Sequence, residues 1–173
     1  MYQYNCKIVR VVDGDTLDVD IDLGFDIFLQ KKRIRLQGLD TPEKRSKDSL
    51  EKVFGNLASE KVKEYLRRDI SYKLTTYKDK VGKFGRILGD IEIYDENLDI
   101  YAGLVETLIK YRYGVSYKGQ DKLDIKHAHL KNYQFLLTCS NNHPEFVELR
   151  ERVQYELDLD QTGMVKLVES LGV

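Results

Sequence analysis

The sequence predicts an α+β protein, a five-stranded OB-fold β-barrel with packed helices and a helical C-terminal extension. Three observations carry this. Residues 4–39 hold three strand-like runs separated by turn signals; a helical stripe and two further strand-like runs follow; and beyond residue 120 the strand character gives way to helical patterning. Five strands with one helix between the third and fourth is the element order of an OB-type barrel. The expected division is a barrel domain over residues 1–120 and an extension over residues 121–173.

Cys6-Lys7-Ile8-Val9-Arg10-Val11-Val12 is β-rich, and Thr16 to Leu23 alternates strictly, with Leu17, Val19, Ile21 and Leu23 on one face. Leu23-Gly24-Phe25-Asp26 reads as a turn region, and Lys32-Arg33-Ile34-Arg35-Leu36-Gln37 alternates again, giving a three-stranded antiparallel meander. Residues 44–56 read as a loop, with Gly55-Asn56 as a stop and an N-cap. Ala58, Val62, Tyr65 and Leu66 then form a helical stripe, with Glu60 toward its start and Arg67 and Arg68 toward its end, as the helix dipole prefers. Tyr72 to Thr76 and Arg86 to Ile93 are the next two strands, joined by the turn Val81-Gly82-Lys83-Phe84-Gly85, and a second helix is expected from about Leu98 to Leu108. Pro144, after Asn141-Asn142-His143, marks a helix start; Phe146, Val147, Leu149, Val153 and Leu157 give that helix an apolar face. Val165, Leu167, Val168 and Leu171 predict a short last helix.

The 173 residues are enough for one domain with a real core and a small appendage, and 42% hydrophobic with 33% charged residues is the composition of a soluble globular chain. No apolar run approaches the roughly 20 residues a membrane span needs. Met1 to Lys7 lacks the basic-then-apolar layout of a signal peptide, so an intracellular protein is expected. Cys6 and Cys139 are too few and too distant for a disulfide framework or a zinc site. The net charge of −1 is uninformative, but residues 31–90 carry 17 basic against 9 acidic side chains, which would draw a polyanion to the middle of the chain.

Two acidic motifs stand at strand ends. Asp13-Gly14-Asp15-Thr16 joins the first two strands; by itself it reads as a type I′ hairpin turn. Asp40-Thr41-Pro42-Glu43 closes the third, where Pro42 stiffens the chain around the carboxylates. Oxygen ligands at such positions suit a hard cation such as Ca²⁺ or Mg²⁺. Arg35 leads directly to Asp40, and Arg86 begins a later strand; a guanidinium binds two phosphate oxygens with a planar fork and stays charged. His127 and His129 form a His-x-His pair, which on a strand would face one side, but no acidic or cysteine partner has metal-site spacing, so structural or solvent-facing histidines are expected. His143 reads as a helix-start residue.

At Val12-Asp13-Gly14-Asp15-Thr16, at Arg33 through Glu43 and at Gly82-Lys83-Phe84-Gly85-Arg86, in that order, the chain resembles the staphylococcal nuclease family. The resemblance runs from about residue 4 to 118. It implies a Ca²⁺-dependent OB-fold nuclease, with Mg²⁺ as the alternative cation, hydrolysing DNA, RNA or both to leave 3′-phosphates. Carried over residue by residue, it gives Asp15, Asp40 and the Thr41 carbonyl to the metal and Asp13 to a supporting role behind them. Glu43 goes to the attacking water, and Arg35 and Arg86 to the phosphate. Tyr113, Tyr117, Lys44 and Lys47 are further expected substrate contacts. Phe84 stands where the family commonly has tyrosine, which removes a hydroxyl near the phosphate. The alternative is a non-catalytic nucleic-acid-binding module on the same barrel; the presence of all five acidic and arginine residues favours the enzyme. The family assigns no role to residues 121–173, which read as net acidic helices that pack on the barrel or on a protein partner.

Overall fold

The computed structural model describes residues 1–77, 86–96, 99–138 and 144–172. Strand β1 (Tyr2–Asp13) pairs antiparallel with β2 (Thr16–Asp22), and β2 with β3 (Phe28–Leu36). The alternation foreseen in β2 is the cause of its placement: Leu17, Val19 and Ile21 point into the core and are fully buried. Leu23 lies past the strand end and is exposed. Across β1, strand β5 (Ser71–Thr76) adds antiparallel, then β6 (Ile87–Asp95). A parallel pairing of β3 with β6 through Ile34↔Ile87 and Leu36↔Gly89 closes the five strands on themselves. Closure removes the unpaired edges of a twisted sheet, and the interior side chains fill the space within.

Helix α1 (Ser49–Tyr65) lies between the third and fourth barrel strands, as the element order requires. It starts well before the Gly55-Asn56 boundary read from sequence. Asp48 is the N-cap, its carboxylate accepting from the backbone N–H of Leu50 and Glu51 at 2.9 and 3.1 Å. Val53, Phe54 and Leu57 extend the buried stripe toward the N-terminus, so residues 49–56 are helix rather than loop. Gly55 does not stop the helix. A Cβ there would come within 2.5 Å of the Lys44 backbone N and 2.7 Å of the Pro42 carbonyl oxygen, so glycine is the residue that lets α1 press against the segment carrying Glu43.

The expected helix over residues 98–108 is also revised. Residues 100–103 form strand β7 (Ile100–Gly103), an added edge on β6, and helix α2 (Leu104–Lys110) follows. Asp90 on β6 accepts from the Val105 N–H at 3.1 Å, satisfying a donor in the first turn of α2. Leu98, the 81–85 turn, Cys139 and His143 fall outside the described residues.

A second, two-stranded sheet joins β4 (Leu39–Asp40) to β8 (Val115–Ser116). Three helices complete the chain: α3 (Lys122–Thr138), α4 (Pro144–Glu156) and α5 (Gln161–Ser170). They do not enter the barrel core. Tyr133, Leu136, Leu137, Leu149 and Val153 build a separate apolar cluster on the outer face of α1, around Val53, Phe54 and Leu57. Helix α1 is therefore shared by two cores, one toward the barrel and one toward the C-terminal helices. No described helix is long and apolar enough to cross a membrane.

Candidate active site

The two acidic motifs meet at one end of the barrel because strand register brings them there. Thr16 pairs with Arg35 across β2 and β3, and the backbone N–H of Leu36 donates to the Asp15 carbonyl at 2.9 Å. Asp15 thus sits beside Arg35, and the chain then turns through Gly38, at φ +87°, into Asp40. The β1–β2 turn holds the expected two residues, but Gly14 has no positive φ, so it is not the type I′ turn that Asp-Gly signals. Glycine is needed for room: a Cβ at residue 14 would lie 2.8 Å from the Thr41 hydroxyl and 3.0 Å from the Ala58 Cβ. The turn, Thr41 and α1 are locked together by that close approach.

Arg35 is the centre of the arrangement. One arm of its guanidinium pairs with Asp15 Oδ2, and the other donates to Asp40 Oδ1 at 3.2 Å and to the Leu39 carbonyl at 3.3 Å. Burial lowers its pKa from the ordinary arginine value, Asp40 opposes that fall, and nearby Arg86 adds to it. Asp15 is buried; its Oδ1 accepts from the Thr16 hydroxyl at 2.8 Å and its Oδ2 from the Thr41 N–H at 3.4 Å. Asp13 stands behind, accepting from the Gly14 N–H at 3.1 Å and the Ser59 hydroxyl at 3.4 Å.

Glu43 is solvent-exposed yet makes none of these ion pairs. Desolvation raises its carboxyl above the usual range, and the Asp13 and Asp40 carboxylates raise it further, against the pull of Arg35. A basic carboxylate held near, but not consumed by, the acidic pair suits a proton acceptor. Asp13, Asp15, Arg33, Arg35, Glu43 and Arg86 line a single open cleft of about 370 Å³. A broader groove of about 1160 Å³ continues from Arg35, Asp40, Glu43 and Arg86 past Tyr117 and Lys118.

Of the residues singled out in the sequence, Asp13, Asp15, Arg35, Glu43 and Arg86 share the cleft, while Asp40 and Tyr117 line the adjoining groove. Thr41 is buried beneath Asp15. Lys44 turns inward, its ammonium donating to the Val12 carbonyl, and Lys47 stays exposed. Tyr113 is placed elsewhere, half-buried between the two apolar cores with Lys61 over its ring. The sequence reading missed the closeness of His129. Its residue is buried, and its Nε2 lies 3.0 Å from Asp40 Oδ2. His127 and His129 sit on helix α3 rather than a strand, so they point apart and His127 is exposed.

The donor set is all oxygen. Among the described residues no three His, Cys, Asp or Glu side chains form a ready-made metal cage. Asp15 and Asp40 nevertheless converge on one cationic group, the Arg35 guanidinium. Two carboxylates that converge on one positive charge are the donor chemistry a hard divalent cation would take.

A closed OB barrel with acidic side chains and two arginines around one open cleft defines the class: an OB-fold protein with a mixed-charge cleft at one end of its barrel. A family model described as staphylococcal nuclease homologue matches residues 33–135, more than half of the sequence. This chain belongs to the staphylococcal nuclease family. It is 31% identical over 93 residues to a thermonuclease of Staphylococcus intermedius, covering 54% of this chain and 51% of that protein. It is 29% identical over 122 residues to a thermonuclease of Staphylococcus hyicus, covering 68% and 66%. The matched part therefore spans half to just under two thirds of these relatives.

Proposed function

We propose that this chain is a metal-dependent nuclease that hydrolyses phosphodiester bonds of DNA, RNA or both and leaves 3′-phosphates. The observation that carries the reading is Arg35 drawn between Asp15 and Asp40 in a cleft that Glu43 and Arg86 also line. The thermonuclease names of the two relatives support the same reaction class.

In this reading Asp15, Asp40 and the Thr41 carbonyl hold Ca²⁺, with Mg²⁺ as the alternative; when bound, the cation supplies Lewis-acid charge beside the phosphate. Arg35 and Arg86 grip the non-bridging phosphate oxygens and stabilise the charge that grows on them during attack. Glu43 accepts a proton from the water whose oxygen bonds to phosphorus, a role its raised pKa favours. The bond from phosphorus to the 5′ oxygen breaks, that oxygen takes a proton from solvent, and the phosphate stays on the 3′ side. Asp13 keeps the β1–β2 turn in place through its bonds to Gly14 and Ser59. Tyr117, in the groove, and exposed Lys47 serve substrate binding; Lys44, turned onto the Val12 carbonyl, and Tyr113, set between the two apolar cores, stay off the substrate path.

The rival is a non-catalytic nucleic-acid-binding module on the same barrel. Incubating plasmid, single-stranded DNA and RNA with Ca²⁺, with Mg²⁺ and with chelator separates the two. Cleavage that needs a divalent cation and yields 3′-phosphate ends is the expected result. Tight binding with no cut product under any metal would establish the rival.

A further inference from the structure

Helix α3 meets the acidic centre at His129, and that contact is more than packing. Asp40 sits on a strand of two residues, paired through Leu39↔Ser116 and Asp40↔Val115. So short a ladder fixes a backbone loosely and a side chain hardly at all. Helix α3 braces both halves of it. Asn132 donates to the Gly114 carbonyl at 3.1 Å and accepts from Arg112 at 3.2 Å, just before β8, while His129 meets the Asp40 carboxylate on β4. Helix α3 is itself fixed to α1 by Tyr133, stacked flat on Phe54 with ring centroids 4.0 Å apart and planes 9° apart. Gly55 next to Phe54 presses on the 42–44 segment, so the brace returns to the same stretch of chain.

We infer that His129 is a positioning residue for Asp40, and that helix α3 thereby belongs to the cation site rather than to an appendage; this rests on the metal-dependent reading above. An ionised carboxylate only accepts hydrogen bonds, so the proton in the 3.0 Å contact belongs to His129 Nε2. The other ring nitrogen, Nδ1, is buried with no hydrogen-bond partner among the described residues, so Asp40 is the ring's one polar anchor there. Before substrate draws the guanidinium to the phosphate, Arg35 holds Asp40 Oδ1 and His129 holds Oδ2. With both oxygens tethered, the carboxylate plane is set before any cation arrives. Partners of this kind, behind a ligating group, orient the ligand, and their loss typically costs about 10–100-fold in metal affinity.

The test compares His129→Leu, His129→Gln and Asp40→Ala with the full-length wild type by calorimetric titration with Ca²⁺, alongside thermal unfolding. Leucine keeps apolar bulk and deletes the donor; glutamine places an N–H donor at about the reach of Nε2. His129→Leu should weaken Ca²⁺ binding about 10-fold or more. His129→Gln should recover most of that loss, although both variants give up the contact with Tyr133. A packing role would instead lower the melting temperature equally in both and leave affinity alone. Wild-type Ca²⁺ affinity in His129→Leu, while Asp40→Ala loses it, overturns the positioning role and spares the metal reading. Equal affinity in all four proteins sinks the metal reading and this inference with it.

Discussion

Asp15, Arg35, Asp40 and Glu43 lie within residues 15–43, on strand ends whose pairing sets their spacing, whereas His129 comes to Asp40 from a helix 89 positions along the chain. The first region spends its residues on charge. Its side chains carry Coulombic work that a cleft open to solvent only partly screens. The second region builds its own apolar core on the back of α1. Chemistry and support are therefore separable in principle: changes in the first should cost rate with little stability, and changes in the second should cost stability or affinity with little intrinsic rate.

The largest expected effects fall in the first region. Asp40→Ala should abolish metal-dependent cleavage in a protein that still folds. Arg35→Lys and Arg86→Lys should each lower turnover at saturating substrate by roughly 10²–10³, about 3–4 kcal/mol, as for loss of a preorganised donor. Lysine keeps the charge but loses the two-pronged geometry, so it should rescue poorly. The measurement is steady-state cleavage of a labelled oligonucleotide across a salt series. Arginine variants with normal turnover and only weaker binding would mean that these residues merely hold substrate.

Leu136 tests the second region. It is fully buried at the α3–α1–α4 junction, and truncation to alanine should destabilise by about 3 kcal/mol through lost transfer energy and the cavity left behind. Chemical denaturation gives that number, and turnover well below the melting temperature should stay within a few-fold of wild type. A fall in turnover as deep as that of Arg35→Lys would erase the division between the two regions.

The same contrast explains what could be read from sequence. The barrel strands follow from period-two alternation, and the acidic and arginine residues are picked out near strand ends by motifs that resemble the staphylococcal nuclease family in kind and order. The start of α1 was not, because Gly55 carries the signal of a helix stop while its actual task is close approach to Pro42 and Lys44. The β4–β8 ladder is two residues long on each side, too short for any periodicity to register. In sequence His129 is half of a His-x-His pair, whereas in the fold its neighbour is a carboxylate that tertiary packing of α3 brings near. Local pattern specifies elements and their charged ends; contacts between separately built cores have no local pattern to announce them.

Asp18 is an acidic residue in the charged region that the proposed chemistry does not use, so it checks whether acidity there is functional by default. Arg33 donates to its carboxylate at 2.8 and 3.0 Å and Arg10 at 2.7 Å. The Arg33 bond is the chief cause of its lowered pKa. Both arginines are about half exposed, so solvent screening limits the gain, and Asp18→Asn should cost about 1 kcal/mol at neutral pH. Because the folded pKa lies below the unfolded value of about 3.9, this stability is present above that value and lost as pH falls through the folded one. The difference between wild type and Asp18→Asn should therefore shrink toward zero in strong acid, while at neutral pH the two proteins bind Ca²⁺ equally. An Asp18→Asn protein with weakened Ca²⁺ binding would extend the acidic centre along β2.

Lys47 should give the smallest effect and bears on how the basic middle segment works. It is exposed on the connection between Glu43 and α1, near the cleft but outside the ion pairs of the acidic centre. A charge in that position attracts a polyanion at a distance, and the attraction fades beyond the screening length of about 8 Å at physiological salt. Lys47→Ala should raise the apparent KM about two-fold at low salt and leave turnover alone. The effect should vanish as salt rises. A lysine that touches a phosphate would lower the slope of log affinity against log salt by about 0.9 on duplex DNA, whereas one that only steers should lower it by less. Measuring KM for a short duplex at several salt concentrations, for wild type and Lys47→Ala, separates the two. Lys44, whose ammonium is turned onto the Val12 carbonyl at the end of β1, should behave differently: its removal disturbs the strand that leads into Asp13 and Asp15. A Lys44→Ala protein should therefore lose some turnover at high salt, where Lys47→Ala loses none.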